Sequence, residues 1–253
     1  MKTFKTVIFF LAMIALGALG GRAVANIDTF TKLLDGLHGP TAIVLALIAL
    51  PLPLFLHELG HLVAGLLVGF RFELLAVGPL LMYRGAGGIR FRYNSHLTLW
   101  GGLAATSPRD SVDVLKIMAW MTAGGPLVSL FTALFGVTAG LLLAPVSREV
   151  GFFLLVFGAS GFFNLLAVTL PSTTGGFLSD RSRFLVLTSG GPKAELVAAQ
   201  AMVMARNFGG QRPGDWPNDA METLANAEGI NLDSLLARIL FVVPYLQDKG
   251  QVT

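Results

Sequence analysis

Residues 41–70 read TAIVLALIALPLPLFLHELGHLVAGLLVGF. The run is long and apolar enough to cross a bilayer as a helix. Glu58 is its only acidic residue, and it holds no Lys or Arg. Its centre is His57-Glu58-Leu59-Gly60-His61, an HExxH motif. On a helix, histidines at i and i+4 share one face at a spacing that suits one zinc ion, with the glutamate beside it to handle protons. Ionisable groups at membrane depth are costly and are functional candidates by default. Three of them within five residues predict a metal site inside or at the edge of a membrane. Pro51 and Pro53 predict a kink or break just before His57.

The rest of the chain supports a membrane setting. Of 253 residues, 54% are hydrophobic and only 13% charged, against about a quarter charged in soluble domains. There are no cysteines, so any metal must be held by His, Asp or Glu, a donor set that suits catalytic zinc. A net charge of +3, without a basic aromatic-studded surface, gives no sign of nucleic acid as a partner.

Outward from the motif, the expected organisation is an α-helical polytopic membrane protein with about four transmembrane helices. Residues 1–25 have a basic start, an apolar stretch and Ala23-Val24-Ala25 at the end. They read as a signal-like segment or as a first transmembrane helix over Thr6–Val24, and Arg22 beside the cleavage point favours the retained helix. The second span is Thr41–Phe70, the third Val112–Ala144 and the fourth Val150–Leu170. A β-rich insert is expected over about 70–108: a hairpin of 72–77 with 89–93 turning at Gly85–Gly88, then a strand around His96–Trp100 ending at Gly101-Gly102. Pro171–Gly191 reads as a Gly/Ser/Thr-rich segment carrying Asp180.

Residues 26–191 thus form the membrane core and 192–253 a small helical cytoplasmic tail. The tail's helices are expected from Pro192 to a stop at Gly209-Gly210, over Asn218–Ala227 and over Leu232–Leu246. At about sixty residues the tail is marginal alone, and so either packs on the core or binds a partner. The basic residues fall mainly on one side: Lys2, Lys5, Arg71, Arg84, Arg90, Arg92, Arg109, Lys116, Arg181, Arg183 and Lys193, against Arg22, Lys32 and Arg148. The positive-inside rule then puts both termini in the cytoplasm and brings HELGH and Asp180 to similar depth.

A catalytic zinc needs three protein ligands and one open position. His57 and His61 supply two. Asp180 is the preferred third, with Asp110, Asp113 and His96 as alternatives. Glu58 is the expected general base, activating water against a peptide carbonyl. The competing reading, a chance motif or hydrogen-bonded core histidines, fits poorly within an apolar span. Asn164 could contact the backbone of an extended substrate, stabilise the oxyanion or join helices. Gly124-Gly125-Pro126 reads as a close-packing point or kink.

These pieces together resemble the site-2 protease family of intramembrane zinc metallopeptidases. The matching features are HELGH in an apolar helix, the Gly-Pro turn of the next core span (Gly124-Gly125-Pro126) and a late Asn164, Pro171, Asp180 arrangement. Val77-Gly78-Pro79 and Gly101-Gly102 resemble the β-rich insert of bacterial members. The resemblance covers roughly residues 41–190 and implies zinc held by His57, His61 and Asp180, with Glu58 as catalytic base. It also implies a transmembrane protein or hydrophobic peptide as substrate, presented by the β insert. Residence in a bacterial cytoplasmic membrane is expected from the general style of the sequence, not from any motif. Arg181 stands where the family usually has glycine after the aspartate, and Ser129 where asparagine often follows the Gly-Pro turn. The Asp180-Arg181 context motivates a second reading, a catalytically degenerate membrane binding or scaffold protein of the same fold. A third, a transporter, lacks a visible inverted repeat.

Overall fold

Pro51 and Pro53 lack the amide protons that a continuous helix needs. In the computed structural model, which describes residues 35–85, 87–95, 97–107, 114–171, 178–208, 210–227 and 238–251, the apolar run accordingly splits. Helix α1 covers Gly39–Ala49 and α2 covers Leu52–Leu67. The break frees backbone acceptors, and the Leu50 carbonyl takes a hydrogen bond from Ser160 Oγ at 2.6 Å.

Among the described residues, three helical stretches are long and apolar enough to cross a membrane: Gly39–Leu67, α3 (Val114–Leu143) and α4 (Arg148–Thr169). They correspond to the second, third and fourth spans expected from sequence and fit an integral membrane protein. The expected first span lies outside the described residues. Helix α3 runs through Pro126 without ending.

The insert between α2 and α3 is an antiparallel sheet in the order β3-β2-β1-β4. Its strands are β1 (Arg71–Val77), β2 (Leu80–Gly85), β3 (Gly88–Tyr93) and β4 (Leu103–Ser107). Two of its strands differ from the sequence expectation. The 72–77 run pairs with β2, not with 89–93; β2 was hidden between Gly78-Pro79 and the Gly85–Gly88 turn. The strand expected around 96–100 is a single 3-10 turn over Leu97–Leu99, and the strand follows Gly101-Gly102. The physical reason is tertiary. Trp100 Nε1 donates to the carbonyl of Asn94 at 3.1 Å, and Gly102 takes φ +100°, which turns the chain before it can pair. Glu73 is the extra residue of a bulge between β1 and β4. It accepts hydrogen bonds from Ser107 Oγ and from Arg71 Nε (3.2 Å).

Pro171–Gly191 contains a helix that the sequence reading lacked, α5 (Asp180–Ser189), capped by Ser179 Oγ accepting from the Ser182 amide. Helices α6 (Pro192–Phe208) and α7 (Asn218–Ala225) start where expected, and α7 ends two residues before the expected Ala227. Of the third tail helix, the described part is a π-helical turn at Arg238–Val242 followed by α8 (Val243–Asp248).

The described residues fall in two compact units. One comprises those up to Leu54 together with Ser129–Leu165. Its packing rests on close approach: a Cβ on Gly158 would lie 2.5 Å from the Val137 nitrogen, and Ala144 and Phe152 gather Ala42, Leu45 and Ala46 around them. The other unit comprises Phe55–Val128 and the residues from Leu166 on. There Phe70, Met118, Ala119, Leu187 and Ala198 form one core, while Leu74, Ala76 and Ala105 pack with Ala205 of α6. The tail therefore packs on the sheet. Its own core centres on Val203, Trp216, Leu224 and Phe241.

Candidate metal centre

The site is built within the second unit from three helices. Helix α2 places His57 and His61 one turn apart on a buried face, both under a tenth exposed. Helix α5 brings Asp180 at its first position, where the helix dipole favours a carboxylate. Helix α3 supplies the floor. Gly60 and Gly124 meet there: a Cβ on Gly60 would lie 2.7 Å from the Gly124 oxygen, and one on Gly124 would lie 2.7 Å from Ala64 Cβ. A Cβ on Gly125 would stand against His61 Nε2, 2.6 Å from His61 Cε1 and 2.7 Å from His57 Cε1. The Gly-Gly-Pro element is therefore a close-packing point beneath the two histidines.

Nε2 of His57 and Nε2 of His61 are 3.1 Å apart, and Asp180 Oδ2 is 3.2 Å from the first and 3.1 Å from the second. Among the described residues this is the one group of three metal-capable side chains so gathered. Asp110, Asp113 and His96, the alternatives for the third ligand, lie outside the described residues.

His61 Nδ1 lies 2.9 Å from the Met121 carbonyl and 3.3 Å from the Gly125 amide nitrogen. It cannot donate to one and accept from the other. The shorter contact, to a carbonyl that can only accept, assigns the proton to Nδ1. That leaves the His61 Nε2 lone pair turned toward His57 and Asp180, the arrangement in which a metal-binding histidine is oriented by a backbone acceptor.

Three electron-rich atoms converging in a buried space call for a cation. Ligands about 2.0–2.1 Å from a tetrahedral zinc lie roughly 3.3 Å from one another. The observed triangle of 3.1–3.2 Å fits such an ion.

Residues 45–243 match the family model for Peptidase family M50. The chain belongs to Peptidase family M50. No curated protein and no solved structure matches the chain. M50 members are membrane metallopeptidases, which agrees with the family resemblance read from the motifs. In this M50 protein Glu58 is also buried, and the amide of Ala104 at the start of β4 donates to its carboxylate. The Ala104 contact, the Met121 carbonyl and the role of Gly125 escaped the sequence reading. Only Gly124-Gly125-Pro126 left a visible trace. Asn164, a sequence candidate for substrate contact, donates through Nδ2 to Ser129 Oγ at 3.1 Å within the first unit.

Proposed function

We propose that this M50 protein is an intramembrane zinc endopeptidase that hydrolyses peptide bonds in a transmembrane or membrane-proximal segment. The observation that carries the reading is the triangle of His57, His61 and Asp180, its two histidines on a helix of membrane-spanning composition with Glu58 in the same turn.

His57, His61 and Asp180 would hold the ion, two neutral nitrogens and one carboxylate leaving a position open. Bound zinc supplies Lewis acidity, which makes a water more acidic and polarises a carbonyl oxygen. Glu58 takes the proton from the attacking water and delivers it to the departing amide nitrogen as the C–N bond breaks. The Met121 carbonyl keeps His61 in the tautomer that exposes Nε2. For Asn164 we favour helix pairing, because its amide is engaged by Ser129. We further propose that both termini face the cytoplasm, on the strength of the basic-residue bias, and that the substrate is a membrane protein or hydrophobic peptide.

The test is co-expression with tagged transmembrane reporter segments. Wild type should release the reporter and Glu58→Gln should retain it uncut while keeping its zinc. Full cleavage by Glu58→Gln would remove the mechanism. If the Glu58→Gln strain behaves as wild type while a deletion strain does not, the scaffold reading takes its place.

A further inference from the structure

The carboxylate of Glu58 has neighbours that the reaction scheme above does not use. A Cβ on Gly102 would press on Glu58 Oε1 and lie 2.9 Å from both its Cγ and Cδ. Gly102 also has φ +100°, a conformation that favours glycine. Two residues on, the Ala104 amide donates to the same carboxylate. Among the described residues, nothing lies within 4 Å of where a Cβ on the neighbouring Gly101 would stand. Space and hydrogen bonding therefore converge on one side chain from a single short stretch.

That stretch is held from the sheet. The Trp100 amide donates to Leu97 and the Gly102 amide to Leu99, closing the turn, while the Gly78 amide donates to Trp100. Asn94, fully buried, donates through Nδ2 to the Gly78 carbonyl. Leu103 and Ala104 then pair with Ala76 and Leu75 of β1.

We propose that Gly102 and the Ala104 amide form a seat that positions Glu58, so that the base is set by the β insert as well as by its own helix. Gly102 and Ala104 are positioning residues. A buried carboxylate one residue from a metal ligand is drawn toward a bound dication. The Ala104 bond holds it back as a base with a free lone pair for a proton, and the bare Gly102 gives it room. The inference rests on the protease reading and adds the β insert as part of its machinery.

The test uses the full chain in detergent, with a dye-labelled transmembrane peptide as probe and zinc per chain measured alongside. Ala104→Pro removes the amide proton on an end strand, where proline is tolerated when the ladder does not need its N–H. Gly102→Ala fills the seat. Both should lower kcat about a hundredfold with KM within about twofold, since roughly 1 Å of misplacement is worth that much. Zinc content should be unchanged, and Ala104→Ser, which restores the amide, and Gly101→Ala should behave as wild type. Wild-type kcat in Ala104→Pro and Gly102→Ala, with Glu58→Gln inactive, would overturn the seat and leave the protease reading standing. Activity in Glu58→Gln would instead remove the reading itself. Because the chain has no cysteine, a Glu58→Cys, Gly102→Cys pair tests the geometry without activity or metal. Rapid disulfide formation, faster than for the Glu58→Cys, Gly101→Cys pair, supports the seat, and no faster formation overturns it.

Discussion

Gly125→Ala is the perturbation that separates the metal centre from the fold that carries it. The new Cβ would sit 2.6 Å from His61 Cε1 and 2.7 Å from His57 Cε1, roughly 1 Å inside ordinary carbon contact. Helix α3 could relieve this only by separating from α2 and opening the tight Gly60–Gly124 contact, where a Cβ on Gly60 would lie 2.7 Å from the Gly124 oxygen. The histidine rings are what must move. Metal–ligand distances tolerate about 0.2 Å, so a ring displaced by several tenths of an ångström leaves the coordination sphere. Zinc affinity should fall at least as far as on loss of an orienting partner, about 10–100-fold, or about 1.4–2.7 kcal/mol. The fold itself should change little. Alanine gains about 1 kcal/mol over glycine in a helix interior, set against about 1–3 kcal/mol for overpacking. Competition with a chromophoric chelator in detergent reads the affinity, and melting in EDTA reads the apo fold. Wild-type zinc affinity in a folded Gly125→Ala protein would refute the claim that α3 underpins the two histidines.

Glu73→Ala should destabilise the β insert by about 1–3 kcal/mol, because Ser107 and Arg71 lose their buried acceptor at the bulge; thermal melting in detergent checks it, and an unchanged midpoint contradicts it. Asn164→Ala should weaken the pairing of α3 and α4 by about 0.6 kcal/mol while leaving the KM of a cleaved transmembrane peptide unchanged; a selective rise in KM would restore Asn164 as a substrate contact. The hydrogen bond from Arg212 lowers the Asp248 carboxyl below its ordinary 3.8. The pair's small contribution is therefore complete above that value and lost as pH falls through the lower folded-state value. Hydrogen exchange at the Gly214 amide, which donates to Asp248, should lose protection on acidification below about 4 in wild type and should already be unprotected in Asp248→Ala; equal, pH-independent protection in both would contradict it.

Strong local signals survived the passage from sequence to structure. Pro51 and Pro53 marked the helix break, Pro192 started α6, and Asn218 opened α7. The HExxH spacing placed two nitrogens on one face, and Asp180, the preferred third ligand, lies with them, the three atoms 3.1–3.2 Å apart. What failed were elements decided by tertiary contact. Strand β4 reads Leu-Ala-Ala-Thr-Ser and has weaker intrinsic β preference than the His96–Trp100 run, yet it pairs with β1 while Trp100 is pinned to Asn94. Helix α5 lacks an apolar period and sits in a Gly/Ser/Thr-rich setting; its one local signal was the Ser179 cap. The Met121 and Ala104 contacts are made by backbone atoms, which no residue type announces.

The most direct test of the three-ligand site is the metal content of the detergent-purified protein, compared among wild type, His57→Ala and Asp180→Ala. About one zinc per chain is expected in wild type, with its loss or marked weakening in both variants. No zinc in wild type after loading, or zinc retained at full affinity in Asp180→Ala, would contradict it.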